Sequence, residues 1–113
     1  MINILYSIMF LFYQPTLDEF LSFDKTNEIP YSEDFKCVEF SERLVANAQR
    51  FGIESEVVYV FFRNEGGMVF HAIVYFPEYD VYIEPQSDDY YYIESNMLCA
   101  KAGCYGEIVY LSN

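Results

Sequence analysis

The chain has 113 residues, of which 53% are hydrophobic and 20% aromatic, and it carries a formal net charge of −12. This length fits one domain, 1–113, with a single core, and the high apolar content excludes a disordered chain. The surplus of acidic side chains, 18 Asp and Glu against 6 Lys and Arg, disfavours nucleic acid and anionic membranes as partners.

The run 1–13, MINILYSIMFLFY, is strongly apolar. It has no basic leading region and no small-residue cleavage site, which argues against a signal peptide. It is also shorter than the roughly 20 residues that span a bilayer. We expect a buried strand or helix here, with an exposed interaction segment as the alternative. The odd number of cysteines, 3, is typical of an intracellular thiol protein, so we expect the cytoplasm.

Two helices are predicted next, separated by a loop over Asp24–Asp34. The first is short, because Leu17, Phe20, Leu21 and Phe23 recur at helical spacing. The second covers about Phe35–Phe51: apolar and small residues repeat every three or four positions, and Gly52 can end the helix in a left-handed conformation. Ser32 or Asp34 is expected to cap it, which places Cys37 in its first turn.

The remainder of the chain favours strands. Glu56–Arg63 is rich in Val, Tyr and Phe, which predicts a strand buried on both faces. A turn at 64–67 leads to predicted strands at Met68–Phe76 and Val81–Glu84, and two more are expected at Tyr90–Ile93 and Glu107–Leu111. One long helix followed by hairpin-linked strands indicates an antiparallel α+β domain.

Three residues can form a site for nucleophilic catalysis. A helix N-terminus favours a thiolate at Cys37, although a structural cysteine is the ordinary interpretation of a single thiol. His71 is the only histidine. A tight hairpin at Pro77-Glu78 would pair His71 with Glu84 on one face of the sheet, where the carboxylate orients the imidazole. A loop one residue longer would turn Glu84 to the other face.

The order of these residues resembles the transglutaminase-like superfamily. In that family a helix begins with Cys, an acidic, an aromatic and a small residue and ends in Gly-Ile, one strand carries His-Ala, and another ends in an acid followed by Pro. The matching residues here are Cys37-Val38-Glu39-Phe40-Ser41, Gly52-Ile53, His71-Ala72 and Glu84-Pro85. The resemblance covers about 35–86, and the run 83–88 is similar to that of small archaeal members.

The resemblance implies a papain-like α+β core in which the capped Cys37 helix packs on an antiparallel sheet. It also implies a thiol-dependent hydrolase or acyltransferase that acts on a protein or peptide through an acyl-enzyme, with Cys37 as nucleophile, His71 as base and Glu84 as orienting acid. The Cys37 amide would be one oxyanion donor, and Gln14, Asn27 or Tyr31 a second. We expect neither a cofactor nor a metal ion.

Other interpretations remain open at this stage. One alternative is a domain with the same fold but no catalytic activity, which serves as a protein-binding or structural module. Cys99 and Cys104 can form a disulfide, or join Cys37 and His71 in a zinc site, which their spacing disfavours. The acidic residues Glu84, Asp88, Asp89 and Glu94 can bind calcium, but a solvated edge fits them better. The aromatic run Tyr90-Tyr91-Tyr92 is expected on an edge strand, which leaves a homodimer or a peptide-binding surface open.

Overall fold

The computed structural model describes residues 15–112. The apolar run 1–13, predicted to be a buried strand or helix, lies outside the described residues. Two helices, a 3₁₀ turn and six strands follow in order. They are α1 (Leu17–Phe23), the 3₁₀ turn (Thr26–Glu28), α2 (Cys37–Arg50), β1 (Glu56–Asn64), β2 (Gly67–Phe76), β3 (Val81–Glu84), β4 (Asp89–Glu94), β5 (Met97–Ala100) and β6 (Gly103–Leu111).

The sheet is closed, which corrects the predicted fold. Each strand pairs antiparallel with the next along the chain, and β6 returns to pair with β1. The described chain is therefore a small six-stranded antiparallel barrel with two short helices outside it, and the papain-like α+β core implied by the resemblance is wrong. Closure depends on the pairing of Phe61 with Tyr110 and Arg63 with Glu107, between residues that are far apart in the sequence.

Both helices form where the sequence predicts them. Thr16 caps α1, because its hydroxyl accepts from the Glu19 amide and the Glu19 carboxylate accepts from the Thr16 amide. α2 starts at Cys37 and is capped differently from the prediction: Ser32 and Asp34 lie outside the helix, and the Glu39 carboxylate accepts from the Lys36 amide at 2.8 Å. Within residues 15–112, no helix has the length and apolar content needed to cross a membrane.

Alternate residues of the strands point into the barrel, where a first core forms. Val58, Val60 and Phe62 of β1 pack there with residues of β2, β4 and β5. Their neighbours Tyr59 and Phe61 point outward and are each 37% exposed. The prediction that this strand is buried on both faces is therefore wrong, since burial alternates with exposure along β1.

A second core lies between the outside of the sheet and the two helices. Val74, Phe76 and Ile83 point outward from β2 and β3 and are fully buried under α1 and α2. The helix residues that cover them are Leu17, Phe20, Leu21, Leu44 and Ala48. The outward face of β2 is therefore apolar where the helices cover it, and this packing attaches α2 to the strand that carries His71.

The turn between β2 and β3 is longer than predicted. Phe76 pairs with Val81 rather than with Tyr79, because amide hydrogen bonds from Tyr79 to Phe76 and from Asp80 to Pro77 close a wider turn. The β3 partner of each β2 residue is therefore two positions further along the chain than predicted, and each side chain stays on the predicted side of the sheet. Glu84 is therefore a diagonal neighbour of His71 on the same side of the sheet, and not the residue directly opposite.

The hairpin of β4 and β5 was not predicted. Glu94 pairs with Met97, so only Ser95 and Asn96 connect the strands, with φ values of 51° and 63°. Two successive positive φ values are the mark of a type I′ turn, whose twist suits a hairpin. Neither residue is a glycine, and for this reason the turn is hard to recognise in the sequence.

Cys99 and Cys104 lie opposite each other on β5 and β6 and form a disulfide. This is one of the two alternatives left open by the sequence, and it occupies two of the four side chains that a zinc site would need. The residues between them form the turn of a hairpin. Cys37 is the free cysteine of the chain.

Candidate functional site

A cluster of polar side chains lies on the inner face of the barrel. His71 Nε2 is hydrogen-bonded to Glu84 Oε2, and the Tyr91 hydroxyl donates to the same oxygen at 3.2 Å. The imidazole and the carboxylate are largely buried, with side-chain exposures of 20% and 10%. β2, β3 and β4 each supply one of the three residues, so the closed sheet positions the cluster.

The hydrogen bonds fix the imidazole tautomer. A carboxylate has no proton to donate, so His71 Nε2 must carry the proton that joins it to Glu84. In the neutral ring, His71 Nδ1 is then the basic nitrogen. The second Glu84 oxygen, Oε1, accepts from the Gln86 amide at 2.9 Å. The sequence correctly predicted that His71 and Glu84 lie close together. It did not identify Gln86 and Tyr91 as the hydrogen-bond partners of Glu84.

Cys37 is the first residue of α2, which confirms the prediction that it lies in the first turn of this helix. Its amide is among the N-terminal N–H groups of a helix that have no intrahelical acceptor, and it is therefore available to an oxyanion. The Glu39 carboxylate lies at the same helix end, where it accepts from the Lys36 amide. This negative charge offsets part of the attraction of the helix N-terminus for a thiolate.

The C-terminus of α2 lies near the end of β2. Only 51–55 connect α2 to β1, which begins with Glu56 opposite Tyr75, so α2 ends near the last residues of β2. Leu44 and Ala48 of α2 pack in one core with Val74 of β2, so the helix that begins with Cys37 is attached to the strand that carries His71.

No hydrogen bond joins Cys37 and His71 among the described residues. Val74 and Phe76, which contact the helices, alternate along β2 with the inward-facing positions that include His71. The thiol therefore belongs to the helix side of the strand and the imidazole to the barrel side. The structure brings together two members of the predicted triad, His71 and Glu84, and Cys37 makes no hydrogen bond to either among the described residues.

The candidates for a second oxyanion donor are not assembled into a site. Asn27 lies in the 3₁₀ turn, Tyr31 is 63% exposed, and Gln14 is outside the described residues. Neither Asn27 nor Tyr31 makes a hydrogen bond to the His71 cluster.

An open cavity of about 710 Å³ lies beside the cluster, between β4 and the hairpin of β5 and β6. Its lining includes Asp88, Tyr90, Lys101 and Tyr105. The Tyr105 ring is 5.6 Å from the Tyr91 ring, edge to face, so one residue of the cavity wall contacts the polar cluster. A ligand in this cavity would meet both acidic and aromatic groups.

The four acidic residues that were predicted to form one solvated edge lie in different environments. Glu84 is buried against His71, whereas Asp88 directly precedes β4, Asp89 begins it and Glu94 ends it. In the part of the chain that the structure describes, no group of three or more His, Cys, Asp or Glu residues is arranged to hold a metal ion. β4 is paired on both sides, so the prediction that the tyrosine run forms an edge strand is wrong.

Asp88 has an unfavourable environment as a carboxylate. Burial raises its pKa to about 6, and the nearby carboxylates of Asp24 and Asp89 act in the same direction. Its Oδ1 atom is buried and makes no hydrogen bond within residues 15–112. The charged side chain therefore opposes folding at neutral pH.

We expect Asp88→Asn to stabilise the protein near pH 7 by about 1 kcal/mol, a value reduced because solvent screens this half-buried group. The unfolded carboxyl loses its proton near pH 3.9, below the folded value, so the free energy of unfolding falls as the pH rises from about 4 to about 6. Asparagine also tolerates the φ of 65° at this position.

Urea unfolding at about pH 4 and about pH 7 measures this effect. Between these two pH values, the free energy of unfolding should decrease less in Asp88→Asn than in the natural chain. Glu94→Gln, which removes an exposed carboxylate at the far end of β4, is the matched control. If Asp88→Asn retains the full pH dependence, the buried carboxyl is not its source.

Comparison of the chain with models of protein families, with curated proteins and with solved structures gives no match. The resemblance to the transglutaminase-like superfamily therefore depends on the residues and their order alone.

Proposed function

We propose that this protein is a thiol-dependent hydrolase or acyltransferase of the transglutaminase-like type, with Cys37 as nucleophile, His71 as general base and Glu84 as the acid that orients it. The observation that carries the proposal is the hydrogen bond between His71 Nε2 and Glu84 Oε2. It holds the imidazole in the tautomer that a base needs and leaves Nδ1 free to accept a proton.

The proposed reaction proceeds through an acyl-enzyme. The Cys37 proton passes to His71 Nδ1, and the thiolate sulfur bonds to the carbonyl carbon of an amide or thioester. As the carbon–nitrogen or carbon–sulfur bond breaks, the imidazolium returns the proton to the leaving group. Water then releases the acid, or an amine takes the acyl group. The Cys37 amide is placed to stabilise the oxyanion.

The mechanism requires the Cys37 sulfur to approach His71 Nδ1, a contact that the described geometry does not contain. α2 begins at Cys37 itself, so the thiol is at the edge of the helix and not in its middle. We propose a protein or peptide substrate, since an acyl group bound at this edge can remain attached to a longer chain outside the barrel.

Alkylation of Cys37 tests the proposal directly. The disulfide leaves this residue as the free thiol of the chain, so the loss of total thiol reports on it alone. At about pH 6, native Cys37 should react with iodoacetamide at least about tenfold faster than the same protein unfolded in urea, since an assembled thiolate–imidazolium pair exists where an ordinary thiol is protonated.

His71→Ala should abolish this advantage, and Glu84→Gln should reduce it. Glu94→Gln, which changes an exposed glutamate of β4, is the control for loss of a carboxylate. Equal rates in the native and unfolded protein, with no effect of His71→Ala, would contradict the enzymatic proposal.

That negative result would favour the second candidate, a protein-binding or structural module without catalysis. The observation in its favour is a stacked aromatic surface on β1, β2 and β6. Phe61 lies 5.1 Å from Phe70 and 6.3 Å from Tyr110, ring centre to ring centre, and Tyr59 stacks on Phe70 at 5.9 Å. All four side chains are exposed, and aromatic side chains are enriched in protein interfaces.

A further inference from the structure

We propose that Tyr91 is the positioning residue of this site: its hydroxyl holds the Glu84 carboxylate in the orientation that binds His71 Nε2. This inference rests on the proposed function for its role in catalysis, but the hydrogen-bonded arrangement can be tested separately. Tyr91 makes no hydrogen bond to the imidazole, so any effect on His71 passes through Glu84.

The position of Tyr91 suits this role. The side chain is buried inside the barrel, and its hydroxyl donates to Glu84 Oε2 at 3.2 Å. Its ring meets the His71 ring edge to face at 6.4 Å and the Tyr105 ring at 5.6 Å. Packing on both sides therefore fixes the ring, and a fixed ring gives the hydroxyl one direction in which to donate.

The hydroxyl keeps its proton under all ordinary conditions. Burial raises the pKa of Tyr91, and the charge and hydrogen bond of Glu84 raise it further. Tyr91 is therefore a donor and not a phenolate. An ionised carboxylate can accept about four hydrogen bonds, so the tyrosine and the imidazole can share Oε2 without displacing each other.

Tyr91 completes the restraint on the carboxylate. The Gln86 amide holds Oε1 at 2.9 Å, but one bond at one oxygen still allows the carboxylate plane to rotate, because the terminal torsion of glutamate is broad. Tyr91 restrains the other oxygen, on the side that faces His71. With both oxygens held, the carboxylate presents Oε2 to Nε2 before any substrate is bound.

The imidazole N–H proton of His71 provides the measurement. His71 is the only histidine, so ¹⁵N labelling of histidine gives one imidazole signal set. In the natural protein we expect the Nε2–H tautomer and a low-field proton protected from exchange with water. In Tyr91→Phe this proton should exchange at least about tenfold faster, as expected when one hydrogen bond to a charged group is lost.

Tyr92→Phe is the matched control, because Tyr92 lies next in the same strand but points to the outside of the barrel and is exposed. It should leave the exchange rate unchanged. Tyr91→Phe keeps the buried ring, and thermal unfolding checks that it is folded. An exchange rate in Tyr91→Phe equal to that of the natural protein would overturn the proposal.

A double variant separates positioning from packing. If Tyr91 acts only through Glu84, adding Tyr91→Phe to Glu84→Ala should not change the His71 exchange rate further. A further acceleration of the same size would mean that the Tyr91 hydroxyl acts on the imidazole by a route other than Glu84, and the proposal would be overturned.

The two proposals can fail separately. If Cys37 alkylation is insensitive to His71→Ala, the enzymatic proposal fails, while the imidazole exchange still decides the role of Tyr91. If Cys37 is activated by His71 but Tyr91→Phe changes neither its alkylation rate at about pH 6 nor the exchange rate, the positioning role alone is wrong.

Discussion

Replacing Gly106 with alanine should destabilise the protein by about 3 kcal/mol, since overpacking here forces the backbone to move. A Cβ atom at Gly106 would lie 2.4 Å from the Arg63 carbonyl oxygen and 2.8 Å from Phe62 Cδ2. The nearer atom belongs to the backbone of β1, so it cannot move aside as a flexible side chain does. The methyl group would push β6 away from β1 at the point where the barrel closes.

Urea unfolding of Gly106→Ala measures the loss. Gly66→Ala is the matched control: its Cβ would meet only Asn64 Oδ1, at 3.2 Å, in an exposed turn, and its stability should change by less than about 1 kcal/mol. Equal small effects in the two variants would mean that β1 and β6 do not approach as described, and would contradict closure of the sheet.

Closure of the barrel is also the part of the fold that local sequence patterns do not predict. β1 to β4 are rich in β-branched and aromatic residues, and this local preference predicted them at nearly their observed bounds. The pairing of Phe61 with Tyr110 joins residues far apart in the chain, for which no local pattern exists. Gly106, a glycine within a strand, is the one local sign of a close backbone approach, and the sequence analysis did not use it.

The site was predictable in part for a physical reason. Facing alternates along a strand with a period of two, so the shift of two residues at the β2–β3 turn left His71 and Glu84 on one side. Tyr91 was missed because three successive tyrosines look alike, and only strand pairing shows which one points inward. The side of β2 on which Cys37 lies depends on helix–sheet packing, which residue spacing does not determine.

The attachment of the helices to the barrel depends most on Phe76, and Phe76→Ala should destabilise the protein by about 3–5 kcal/mol. The ring is 0% exposed and packs with Phe20 and Leu44 in the core between the helices and the sheet. Its removal leaves a cavity bounded by two helices and a strand, none of which can close on it without losing contacts elsewhere.

Phe70→Ala is the matched control, because Phe70 lies on the same outward face of β2 but is 43% exposed. It should cost about 1 kcal/mol, mainly through its ring contacts with Tyr59 and Phe61. Urea unfolding of both variants gives the comparison. Equal losses would mean that α1 and α2 do not cover the C-terminal part of β2, and would contradict the core described between the helices and the sheet.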